Sequence, residues 1–137
     1  MTLKSRFFFT FLLTVLLSFA TVSAENKDTV YPASQQAPYL RLTQPNGGEI
    51  LFKDENTNIT WTSRGIESGG IILVLYLKGI KHMVISESCP DTGRFEWRIP
   101  EDVSPGMNYR IRIRWSIRPE VNDFSDADFR IAEKPIQ

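Results

Sequence analysis

The chain has 137 residues, 42% apolar, 23% charged and 12% aromatic, with 16 basic residues against 16 acidic ones. That apolar share is too high for a disordered chain, and 8 Gly with 8 Pro are too few for a collagen-like or low-complexity one. One Cys excludes an internal disulfide, a Cys-based zinc site and an iron–sulfur cluster, and one His weakens most acid–base and metal constellations.

Residues 1–24 read as a secretory signal peptide. Lys4 and Arg6 give a positive start, an apolar run extends from Phe7 to Ala20, and Val22-Ser23-Ala24 places small residues where a signal peptidase reads. The run is about 14 residues long, against roughly 20 for a spanning helix, so cleavage between Ala24 and Glu25 is expected rather than retention as an anchor. The leader holds two of the 16 basic residues and none of the acidic ones, so what remains is acidic by two charges. Such a balance gives no field for nucleic acid or an anionic membrane. The expected product carries no membrane span and resides in the periplasm or outside the cell.

Residues 25–38 are polar, contain Pro32 and Pro38 and lack periodicity, which reads as a flexible leader. From Tyr39 short β-rich runs recur between turn clusters. Strands are expected at 39–43, at 49–52 after the Pro45-Asn46-Gly47-Gly48 turn, and at 56–62, with Ile59 and Trp61 on one face. Residues 71–77 are apolar on both faces and predict a central, covered strand. Gly79 marks a turn before 82–87. Residues 94–99 alternate, with Phe95, Trp97 and Ile99 inward and Arg94, Glu96 and Arg98 outward. Residues 109–115 alternate again, with Tyr109, Ile111, Ile113 and Trp115 inward and Arg110, Arg112 and Arg114 outward. Phe129 and Ile131 close the last strand, and 133–137 form a tail.

A period of two sustained in this way defines an all-β domain over residues 39–132, an immunoglobulin- or fibronectin-III-like β-sandwich of about seven or eight strands. Tyr109 follows the Pro105-Gly106 turn at the start of an alternating strand. This is the pattern of a tyrosine corner, in which the hydroxyl bonds to backbone a few residues upstream.

Five segments in order, LTQPNGGE (42–49), NITW (58–61), GRFEWRIP (93–100), SPGMNYRIRI (104–113) and SDADFRI (125–131), resemble the domain of yeast cell-wall β-1,6-glucan synthesis proteins. It is also called the Ser-Thr-rich glycosylphosphatidylinositol-anchored membrane family. The resemblance implies an exported, surface-associated sandwich with no catalytic motif, and in fungal members a tie to wall glucan assembly. The chain departs from the pattern at Ile50, Leu51 and Phe52, where a Trp is usual, and at Lys53 and Asp54, where a Gly is usual. It also lacks a Ser/Thr-rich stalk.

The candidates for chemistry are few. Asn58-Ile59-Thr60 is a glycosylation sequon, so Asn58 is an acceptor in a eukaryotic secretory route and otherwise a polar strand residue. Asn122, Asp123, Asp126 and Asp128 crowd oxygen atoms of the kind calcium prefers, but the spacing fits no EF-hand loop and a solvated turn accounts for it equally. His82 and Cys89 lie seven residues apart, too far along one strand for a base and nucleophile, and Cys89 reads as a small, partly buried apolar residue. No catalytic residue, metal or cofactor is assigned.

Two binding surfaces are open to consideration. Arg110, Arg112 and Arg114 form a basic stripe, either a solvated outer face, with Arg94, Glu96 and Arg98 on an adjacent strand, or a surface for an acidic partner. If the strands alternate up and down, the loops at 63–70, 86–92 and 116–122 share one end. Arg64, Glu67, Arg118, Glu120 and Asn122 then converge there with Cys89. The expected function is an exported, non-catalytic binding or adaptor module at the cell envelope or extracellular surface. Its partner would be an envelope protein or polysaccharide. The alternatives are an assembly factor for cell-wall polysaccharide and a small secreted enzyme.

Overall fold

The computed structural model describes residues 36–136. The expected signal peptide, its cleavage point at Ala24 and Glu25, and most of the leader lie outside them. Nine strands are present among the described residues: β1 (Tyr39–Gln44), β2 (Ile50–Phe52), β3 (Asn56–Arg64), β4 (Ile71–Leu77), β5 (Ile80–Cys89), β6 (Arg94–Arg98), β7 (Gly106–Trp115), β8 (Asn122–Phe124) and β9 (Phe129–Ala132).

The strands form two sheets, β1-β3-β6 and β2-β9-β7-β4-β5, with β8 added along β7. In immunoglobulin lettering this is A-B-E against A′-G-F-C-C′, so the chain is an immunoglobulin-like β-sandwich. The period-two pattern sets what lies between the sheets. Leu40, Leu42, Ile59, Trp61 and Trp97 from one sheet meet Leu73, Leu75, Ile111, Ile113, Trp115, Phe129 and Ile131 from the other, all buried. Phe95 reaches this core only in part. Each such side chain contributes roughly 1.5–3 kcal/mol of transfer free energy when fully covered, and the interior holds without a disulfide.

Polar atoms at the core margin are bonded. Tyr109 is fully buried and its hydroxyl donates to the Ser104 carbonyl at 2.6 Å, which is the expected tyrosine corner. Trp61 Nε1 donates to Asp91 Oδ1 at 2.6 Å, and Trp115 Nε1 to the Ser68 carbonyl at 2.6 Å. Lys53 pairs with Glu133 and Lys134 with Glu55, each at 3.0 Å, so ion pairs tether the start of the expected tail.

The segment 122–128 is more than a solvated turn, with only Asp126 and Ala127 forming an exposed bend. It carries β8 and the buried Ser125 and forms a clip with residues 45–49. Glu49 accepts the backbone N–H groups of Asn46 and Gly47, both at 2.7 Å, which shapes the Pro-Asn-Gly-Gly turn. The Asn46 amide donates to Asp126 Oδ2 at 2.7 Å and accepts from the Asp126 backbone N–H at 2.8 Å. Ser125 Oγ donates to the Pro45 carbonyl and accepts from the Ile111 N–H, each at 3.0 Å. Gly47 packs so closely that a Cβ there would lie 2.5 Å from Ala127 Cβ. The first and last motifs of the family resemblance are thus the two halves of one structural clip.

Candidate functional site

The outer face of the larger sheet carries the basic stripe, and register explains its composition. Tyr76 of β4 lies beside Arg110 of β7, Val74 beside Arg112, and Ile72 beside Arg114. On the far side of β4, Val84 and Lys81 of β5 continue the Val74 and Tyr76 rows. On the far side of β7, Phe124 and Asn122 of β8 continue the Arg112 and Arg114 rows. Cationic heads therefore alternate with apolar and aromatic side chains across four strands, and the Arg stems cover part of that apolar surface.

The three Arg residues lie on the outer face, each half-buried by its neighbours. Arg110 Nε donates to Asp128 Oδ1 at 2.5 Å, and Asn108 Nδ2 donates to Asp128 Oδ2 at 2.8 Å. The Asn108 hydrogen bond, then Arg110, hold the Asp128 carboxyl below the usual carboxylate range. Arg112 Nε reaches Asn122 Oδ1 at 3.3 Å, and its guanidinium sits 5.3 Å from the Phe124 ring centre. Phe124 meets Tyr76 edge to face at 5.1 Å. Arg114 has no hydrogen bond or ion pair among the described residues and lines a shallow hollow of about 300 Å³ with Ile72, Val74, Lys81, Val84 and Glu87. A second, larger hollow of about 580 Å³ opens at the β4–β5 turn. Tyr76, Lys78, Gly79, Asn108, Arg110, Phe124 and Asp128 line it.

Arg94, Glu96 and Arg98 do not adjoin this stripe. β6 pairs with β3 in the other sheet, so these residues project from the opposite side of the sandwich. There Arg94 Nε donates to Asn58 Oδ1 at 2.9 Å and Arg98 pairs with Asp54. Asn58 is exposed on this face.

The expected shared loop end exists but is bonded closed. Gly70 N donates to Ser116 Oγ and Ser116 N to the Gly70 carbonyl, each at 2.9 Å, and Asp91 ties the β5–β6 loop to Trp61 and Ser63. Arg118, Glu120 and Asn122 satisfy one another locally. Arg118 Nε donates to Glu120 Oε1 at 2.9 Å, and Asn122 Nδ2 donates to the Pro119 and Glu120 carbonyls. Arg64 faces the β1 edge instead, bonded to Gln36 and lying over the Tyr39 ring, while Glu67 is exposed on its loop. Cys89 does not join an open site. It is buried, its thiol donates to the Ile71 carbonyl at 3.4 Å, and burial raises its pKa.

The acidic cluster disperses in the fold. Asp123 accepts the Leu42 N–H, Asp126 binds Asn46, and Asp128 binds Arg110 and Asn108. Among the described residues no group of three His, Cys, Asp or Glu side chains is placed to hold a metal. His82 packs 6.0 Å from the Tyr109 ring, near the opposite end of β5 from Cys89. Sequence reasoning located the three Arg residues, placed Asp128 in an oxygen-rich cluster instead of beside Arg110, and missed Tyr76, Lys78, Asn108 and Phe124. Only the β4–β7–β8 register brings these together, and the readable signal was limited to a Lys beside the Gly79 turn.

No family model matches this chain, and no curated protein does either. Among solved structures, the crystal structure of the RIG-5 IG1 homodimer is similar at 11% identity with a TM-score of 0.40, over 71% of this chain and 99% of that chain.

Proposed function

We propose that this chain is an exported, non-catalytic binding or adaptor module of the cell envelope or extracellular surface, and that its working face is the outer side of the larger sheet. The observation that carries the reading is the row-by-row alternation of Arg110, Arg112 and Arg114 with Tyr76, Val74, Ile72 and Phe124. An excess of cationic over acidic groups beside ring surface on a stiff sheet suits an acidic partner that also offers apolar contact. Arg114 and Lys81 hold charge with no ion pair among the described residues, and Arg112 is held by only a long hydrogen bond and a ring.

Export rests on the leader, and mass spectrometry of the secreted protein is expected to find Glu25 at the N-terminus. Recovery of the full-length chain from membranes would reject it. A part in wall polysaccharide assembly rests on the family resemblance alone, and two of its motifs, at 42–49 and 125–131, are occupied in holding the fold.

The face is tested with the Arg112→Gln/Arg114→Gln double variant. Folding should be nearly unchanged, since exposed or half-exposed charges contribute typically under 1 kcal/mol. Retention on envelope fractions should fall sharply, and wild-type retention should decline as salt is raised. Unchanged retention by a folded double variant would remove this face from consideration.

A further inference from the structure

The two-residue turn between β4 and β5 breaks a local rule. Leu77 and Ile80 pair across it, and Lys78 and Gly79 both have positive φ, 52° and 78°. That is a type I′ turn, whose first position favours Asn, Asp or Gly because the left-handed region crowds a Cβ. Lys has no such tolerance, and Lys78 makes no ion pair among the described residues that would offset the strain. Its backbone N–H donates to the carbonyl of Asn108, itself at φ 72°. Two left-handed residues are therefore bonded together at the rim of the 580 Å³ hollow. Strain kept at a rim points to a use for the side chain held there.

The hollow's volume falls within the range of about 300–1,000 Å³ common for small-ligand sites. Its two cations, Lys78 and Arg110, stand against one carboxylate, Asp128, leaving one positive charge. That matches a singly charged ligand unit rather than a phosphate chain. Arg110 spends its Nε on Asp128 and makes a long contact from Nη1 to the Ser125 carbonyl. The Tyr76 and Phe124 rings are fixed by their edge-to-face contact and by Arg112 over Phe124, so their surface is preorganised. The negative face of such a ring attracts polarised C–H groups, as on one side of a sugar. Asn108 and Asp128 add amide and carboxylate groups suited to hydroxyls.

We propose that this hollow is a subsite for an acidic sugar unit of a polyuronate-type polysaccharide. Lys78 and Arg110 take the carboxylate, and Tyr76 and Phe124 take the ring. The inference rests on the reading of the outer face as a binding surface and names its ligand class.

The test uses the full exported chain and four probes: polygalacturonate, alginate, fully methyl-esterified polygalacturonate and polyglutamate. Wild type is expected to be retained by polygalacturonate or alginate and not by the ester, which keeps the sugar but removes the charge. Lys78→Asn should melt at the same or a higher temperature, because Asn suits the turn, yet bind polyuronate about fivefold more weakly, the size expected for one partly exposed charge. Phe124→Leu should also lose affinity while staying folded. Equal retention by polyglutamate would overturn the proposal in favour of an acidic protein partner, and unchanged polyuronate binding by a folded Lys78→Asn variant would overturn the assignment of the hollow as the subsite. Envelope retention that depends on Arg112 and Arg114, with no polyuronate retention, would overturn the subsite and leave the binding face standing.

Discussion

Tyr109 shows how much a single hydroxyl does in this fold. Its ring is sealed in the core and its oxygen reaches the Ser104 carbonyl, so Tyr109→Phe strips one bond and leaves a carbonyl short of its donor. The expected loss is on the order of 1 kcal/mol or somewhat more, read as a lowered denaturant midpoint. Burial also raises the phenol's pKa. A folded pKa above the unfolded value means the bonded phenol's contribution is complete below about pH 10 and is lost as pH rises through the folded pKa. Ultraviolet titration should show one tyrosine ionising late, and the late step should vanish in Tyr109→Phe. Asp128 works in the opposite sense. Asn108 and then Arg110 lower its pKa, so its contribution is present above the ordinary carboxylate range and is lost as pH falls through the folded value. Asp128→Asn should flatten the acid side of the stability profile. Gly47 is a third case. At φ 133° and with Ala127 so close, Gly47→Ala should destabilise by about 1–3 kcal/mol in thermal unfolding.

Strands were legible where burial alternates without interruption. Trp97 and Ile99, and Ile111 with Ile113 and Trp115, sit inside as their spacing requires. Trp97→Ala should cost roughly 3–5 kcal/mol by opening a cavity, and a neutral midpoint would contradict the burial pattern. β8 was not legible. Its three residues carry no alternation, and the carboxylates around it bind backbone N–H and amide groups instead of water, which composition cannot distinguish. Ser125 is the sharpest case, a small polar residue that bridges three segments from inside the sheet. Ser125→Ala should leave the Pro45 carbonyl and the Ile111 N–H unsatisfied and cost about 1–3 kcal/mol in denaturant unfolding.

For the molecule as a whole, sandwich architecture followed from periodicity, while the placement of charge did not. Outward-facing positions on β6 and β7 read alike in sequence, yet they occupy opposite faces because β6 pairs with β3 and β7 with β4. The candidate hollow is likewise assembled from four separate places in the chain, which only the sheet order unites. Its lining therefore had no contiguous motif to betray it.

The clip has a consequence in time. Pro45 and Asn46 wait for partners 80 residues further along, and β2 pairs only with β9, the last strand. A chain emerging from its N-terminus can pair β3 with β6 and β4 with β5 and β7 early, but the first turn stays unfastened until Ser125 to Arg130 have been made. Loop closure over that span slows folding. A chain ending at Pro119 should show no cooperative melt, and adding the missing segment as a separate peptide should restore one. On the proposed export route, where a chain crosses a membrane before it folds, a fastener placed last would keep it pliable for the passage.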